Sequence, residues 1–259
     1  MSAQPVDLSQ PRDLGALLST TFSLYARHFW LFAGLALGIV GVVYIIVLGL
    51  GAGWLWKSYD DYNAPGGLWA FELLVPVLVL VPLISATHAQ AVVELGEGRV
   101  PSVWETLRAG SRYFGPVLAV VVTYTLGVLA GLVLLVVPGI YVWVAWFVAA
   151  PAVVVESKRG GDAIARSHDL VRGSWWRVFG IAVTVSLIAV VASAPAAWAG
   201  SWMGDATDSM AVVLAGAVVS DVVLYSFGAL ASTLLFFDLR ARGTVTVATH
   251  GPAVAHQDS

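Results

Sequence analysis

The chain has 259 residues, of which 59% are hydrophobic and only 11% charged, against roughly 25% charged in an ordinary globular domain. Its 13 Lys+Arg and 16 Asp+Glu leave a net charge of -3, and cysteine is absent. No basic surface is left for nucleic acid, and disulfides, thiolate metal sites and cysteine nucleophiles are excluded. The composition describes an integral membrane protein.

In chain order, residues 13–29 come first. Leu14, Leu17, Leu18, Thr21, Leu24, Tyr25 and Phe29 fall on one stripe of a helix, with polar residues on the other side. Apolar runs then cover residues 30–53 and 68–93. A bilayer core of about 30 Å needs about 20 apolar residues at a rise of ~1.5 Å each, so each run is long enough to cross. Only Arg12 and Arg27 precede the first run. That run exceeds the ~7–15 residues of a signal-peptide core, so it is expected to remain in the mature protein.

A second amphipathic segment begins at Pro101. Ser102 and Glu105 have the spacing of a capping box, and Val103, Leu107 and Phe114 form its stripe. The third and fourth apolar runs, 114–137 and 140–155, are parted only by Pro138-Gly139. Pro-Gly marks turns, so a tight hairpin is expected there. In the next loop Asp162 is expected as an N-cap and Gly173 as a C-terminal cap. Ile164, Ser167, Leu170 and Val171 form the stripe between them. Runs 176–199 and 211–237 complete six spans, and residues 243–259 read as a disordered tail.

Twelve of the 13 basic residues fall before the first run, between the second and third, between the fourth and fifth or at the very start of the fifth (Arg177), or after the sixth; only Lys57 falls on the other side. Basic residues near helix ends mark the cytoplasmic face. The expected protein is therefore an all-α, six-span bundle of the cell membrane with both termini cytoplasmic. Trp30, Trp104, Trp175 and Trp176 then sit at the inner boundary, and Trp54, Trp56, Trp69, Trp198 and Trp202 at the outer one, where indole rings prefer to lie. Each inward segment pairs an amphipathic helix with two spans, which points to a threefold structural repeat with uneven spacing. Such helices would lie in the headgroup layer or cap the bundle.

Three stretches carry a family resemblance. They are residues 137–156 with Pro138-Gly139-Ile140-Tyr141, residues 162–177 ending Gly173-Ser174-Trp175-Trp176-Arg177, and residues 234–242 containing Phe236-Phe237-Asp238-Leu239-Arg240. Together with Leu14–Trp30 they resemble the poorly characterised membrane domain found on some glycerophosphoryl diester phosphodiesterases and as a stand-alone membrane protein. The resemblance implies a membrane fold without catalysis, because no His-Arg pair with downstream acidic ligands of the phosphodiesterase kind is present.

Asp221 lies ten residues into the sixth run, about 15 Å deep at ~1.5 Å per residue. Tyr124, with Thr123 and Thr125, and Ser186 fall at a similar depth, and no Lys or Arg shares it. An ionised carboxylate is costly there. A protonated or cation-bound Asp221 serves either a transport path or a hydrogen bond between helices. At the cytoplasmic edge Arg166, Arg172, Arg177, Arg240 and Arg242 stand among Glu156, Asp169 and Asp238. They form either a rim for an anionic lipid headgroup or a set of snorkelling ion pairs, Asp238 and Arg242 being spaced to pair on one helix. His88 reads as a helix-end residue at the headgroups rather than a metal ligand. Gly34/Gly38 and Gly127/Gly131 have GxxxG spacing, which serves internal packing or dimerisation alike.

No nucleophile, phosphate-loop or metalloprotease motif is present, and no cofactor is expected. The functional expectation is a non-enzymatic scaffold or lipid-interacting accessory subunit, with a membrane-protein partner or a second copy as further company. A transporter using Asp221 and a membrane-embedded lipid enzyme are the alternatives.

Overall fold

The structure, a computed structural model, describes residue 8 and residues 10–49 and 74–249. The loop that holds Lys57, Trp54, Trp56 and Trp69 lies outside the described residues. Among the described residues every regular element is helical, and six helices are long and apolar enough to cross a membrane.

Asp13 starts α1 (Leu14–Arg27), its carboxylate accepting the Ala16 N–H at 2.6 Å. This satisfies one of the amides that a helix start leaves open. α1 buries Leu17, Thr21 and Leu24 of the expected stripe, while Leu14 and Phe29 are exposed. After His28 the chain enters α2 (Phe29–Gly49). A π-helical turn at Pro76–Leu80 leads into α3 (Val81–Gly96). The capping box of α4 (Val103–Ser111) is formed in both directions, Glu105 N–H donating to Ser102 Oγ at 3.2 Å and Ser102 N–H to Glu105 at 3.3 Å.

The third and fourth spans turn back at a different place from the one expected. α5 (Phe114–Leu134) ends in the extended residue Leu135, and α6 (Val136–Ala145) starts at once. Pro138 lies in the first turn of α6, where a missing N–H costs nothing because that amide has no partner in any helix. Gly139 serves packing instead: a Cβ on Gly131 would come 2.7 Å from the Gly139 backbone. The fourth span is also broken. Between α6 and α7 (Ala149–Glu156) the Ala149 N–H bonds the Trp146 carbonyl at 3.0 Å. The carbonyl of Ala145 is thereby left to another donor, and the buried Ser167 hydroxyl supplies it at 2.9 Å.

Ser167 belongs to α8 (Gly161–Arg172), which buries Ala163, Ser167 and Val171. Its N-cap is Gly160 at φ 48, two residues before the expected cap Asp162, which lies inside the first turn. α9 (Trp175–Thr207) and α10 (Met210–Thr249) form the longest pair, with Gly200 and Gly216 in backbone contact. α10 carries the helix through Thr249, so residues 243–249, expected in a disordered tail, are helical; residues 250–259 lie outside the described set.

One core gathers buried residues from α1, α2, α3, α5, α7, α8, α9 and α10, with Phe32, Leu35, Leu230, Leu234 and Phe236 fully enclosed. The outward faces stay apolar, from Leu126 on α5 to Leu187 and Val191 on α9. A surface of that kind is stable only against hydrocarbon.

Candidate functional site

Polar groups collect at two levels of the bundle. In the membrane-spanning part, Asp221 of α10 accepts a hydrogen bond from the Tyr44 hydroxyl of α2 at 2.9 Å. Tyr44 was not singled out in the sequence, where an isolated tyrosine in an apolar run carries no signal.

Tyr124 and Ser186 are brought together elsewhere. Both line a cavity of about 510 Å³ between α3, α5, α9, α10 and the break in the fourth span. Asp221 is not among its lining residues; Leu224 and Tyr225, about one turn further along α10, are. The midplane trio of Asp221, Tyr124 and Ser186 therefore divides into a Tyr44–Asp221 pair and a separate chamber. Aromatic rings of Trp143, Trp146 and Phe147 supply the side of the chamber formed by the break. The Trp146 ring seats against Gly127, where no Cβ fits. Tyr124 directs its hydroxyl at the Trp143 carbonyl from 3.5 Å, the limit of a hydrogen bond.

His88 departs from its expected place at the headgroups. It is fully buried between α3 and α10, with Nδ1 at 2.9 Å from the Ile84 carbonyl and Nε2 at 2.7 Å from Ser226 Oγ. A carbonyl can only accept, so Nδ1 carries the proton and, in the neutral ring, Nε2 accepts from the serine. Its hydrogen-bonding capacity is used up in joining two helices.

At the end of the bundle that holds Arg12 and Asp238 the five arginines are not equivalent. Asp238, with no side-chain exposure, accepts Arg177 Nη1 at 2.7 Å and Arg242 Nε at 3.2 Å. It also accepts the backbone N–H of Arg12 at 2.6 Å, while Arg177 and Arg242 both donate to the Arg12 carbonyl, at 2.5 and 2.6 Å. Arg166 grips Glu156 through two parallel bonds of 2.8 and 2.9 Å, the fork geometry that favours guanidinium over ammonium. The Glu156 carboxylate holds the Arg166 guanidinium above its ordinary range, first by hydrogen bonding. Arg172 and Arg240 remain exposed and have no side-chain partner among the described residues. Arg240 lines a second pocket of about 290 Å³ with Glu97, Phe237 and Leu8.

Among the described residues no group of three or more His, Cys, Asp or Glu could hold a metal ion. Among the described residues the two levels therefore offer different chemistry: a chamber lined without charged groups within the spans, and free positive charge at the end that holds Arg172 and Arg240.

The model of a family described as a domain of unknown function (DUF7847) matches residues 70–239, from the second span to the Asp238 cluster. No curated protein and no solved structure matches the chain.

Proposed function

Because the chain belongs to the family described as a domain of unknown function (DUF7847), which lends it no activity, we propose a function from its own residues: a non-enzymatic, lipid-interacting membrane scaffold. In this reading both termini face the cytoplasm of the cell, and α1, α4 and α8 are amphipathic helices at the inner headgroup level. Each of the three precedes a pair of spans, giving a threefold arrangement. The resemblance of residues 137–156 and 234–242 to the membrane domain of certain phosphodiesterases supports a membrane role without the catalytic part.

One observation carries the reading. Arg177, Arg242 and Arg166 are bound to Asp238 and Glu156, whereas Arg172 and Arg240 keep their positive charge available at the inner edge. Free guanidinium groups at that level attract phosphate-bearing lipid headgroups, at about 1 kcal/mol per basic residue. Transport through Asp221 receives less support, since the large chamber excludes that carboxylate and carries no charge. A lipid enzyme would need convergent acid, base and nucleophile groups, and the inner pocket contributes only Glu97 and Arg240 as ionisable groups.

The test is lipid retention by the purified protein in mixed phosphatidylglycerol and phosphatidylcholine, read by native mass spectrometry. Replacing Arg172 and Arg240 together with glutamine should weaken phosphatidylglycerol retention about thirtyfold, from about 2 kcal/mol. Equal retention by the double variant and the parent protein defeats the proposal.

A further inference from the structure

The chamber between α3, α5, α9 and α10 takes no part in headgroup recognition, and three of its features point to an occupant. Its volume of about 510 Å³ lies in the ~300–1,000 Å³ range of small-molecule sites. Among the described residues its wall holds no Asp, Glu, Lys, Arg or His, so a charged guest would be desolvated there without compensation. Ser186 and Val190, which line it, are exposed on α9 beside the outward apolar residues Leu187 and Val191, a surface that hydrocarbon would cover.

Two further observations narrow the chemistry. The hydroxyls of Ser85, Ser186 and Tyr225 line the chamber without a hydrogen-bond partner among the described residues. In hydrocarbon an unpaired hydroxyl is costly, and an oxygen acceptor on a guest would relieve that cost. The irregular backbone of the fourth span also lies on this wall, through Trp146 and Phe147. Non-helical backbone at membrane depth is tolerated where protein encloses it or where it borders a cavity. Here Ser167 satisfies the carbonyl that the break releases, so the opening is a supported part of the fold.

We propose that this chamber binds one uncharged, lipid-phase molecule with a hydrocarbon body and a hydrogen-bonding oxygen, the oxygen meeting the Ser85, Ser186 and Tyr225 hydroxyls. Gly228 offers a clean way to close the site. It lines the chamber, and a Cβ placed on it meets nothing within 4 Å, so Gly228→Leu starts from open space and extends a side chain toward the chamber.

The experiment uses the full chain in lipid nanodiscs with hexadecanol bearing a mid-chain diazirine, its crosslinks mapped by peptide mass spectrometry. The parent protein should be labelled on chamber residues such as Trp146 and Tyr225. Gly228→Leu should lose that label about tenfold, a cavity of this size being occluded by one aliphatic side chain, while its melting temperature stays unchanged. If Gly228→Leu fails to fold, Ser186→Leu is read in its place. Ser186→Ala with Tyr225→Phe should weaken labelling roughly fivefold, about one hydrogen bond. The same chain carrying a trimethylammonium head should label the chamber poorly. Labelling confined to outward residues such as Leu187 and Val191, unaffected by Gly228→Leu, would overturn the assignment, as would equal labelling by the charged probe. Arg172→Gln with Arg240→Gln should leave these crosslinks intact, so failure at the rim and failure in the chamber are separable.

Discussion

Asp238 ties together more separate parts of the chain than any other acidic side chain among the described residues. Its carboxylate is enclosed and receives two guanidinium groups and a backbone amide from three separate parts of the chain. Removing one partner of a buried ion pair costs about 3–5 kcal/mol, because the other charge is stranded. Arg177 and Arg242 keep 25% and 39% of their side-chain exposure, so water screens part of that loss. Asp238→Ala should therefore destabilise by about 3 kcal/mol, seen as a lower thermal transition in detergent; a transition at the parent temperature would show that the cluster carries no stability. Sequence spacing reveals the Asp238–Arg242 pair, which is four residues apart on one helix. It cannot reveal Arg177 or Arg12, whose separations of 61 and 226 residues are set by the packing of helices. The same limit applies to Asp221, conspicuous by its depth in an apolar run while its partner Tyr44 lies 177 residues away.

Between elements, close approach depends on glycine at specific contacts. Gly131 and Gly139 let α5 and α6 meet backbone to backbone, and Gly34 and Gly38 lie under Val103 and Leu107 of α4. Both GxxxG spacings are thus occupied by contacts within the chain. A methyl group on Gly131 would stand 2.7 Å from Gly139, so Gly131→Ala should force the hairpin apart at about 1–3 kcal/mol. Unchanged unfolding in detergent, with unchanged protease resistance between α5 and α6, would refute that contact. The Pro-Gly pair pointed to a turn because the same dipeptide suits two places, a loop or the first turn of a helix. The break at Trp146 left no trace of its own in the sequence: its flanks are uniformly apolar, and the nearest helix-disfavouring residue, Pro151, comes only afterwards. What determines the break is the set of rings and the serine that surround it.

For the molecule as a whole, apolar length gave the number of spans directly, since six helices meet the requirement for crossing. Their ends were less legible. α9 and α10 run 33 and 40 residues, about 50 and 60 Å at ~1.5 Å per residue, well beyond a hydrocarbon core of about 30 Å. Hydropathy falls off where the bilayer stops, whereas helical hydrogen bonding does not. An even number of crossings places the two ends of the chain on one side, and the proposed orientation, which follows the arginines, makes that side the cytoplasmic one. Fusions of a periplasm-active phosphatase and of a cytoplasm-fluorescent reporter, at each end in turn, should give fluorescence without phosphatase activity at both. Opposite signals at the two ends would sink the six-span topology.

The Arg12 backbone is held from two directions by residues made at the far end of synthesis. A ribosome adding about 5–20 residues per second needs roughly 10–45 s to travel the 226 positions from Arg12 to Asp238. Throughout that interval the leading strap has been made but its latch has not. That contact therefore cannot close before the final crossing has been made, and a nascent chain arrested earlier lacks this fastening of α1.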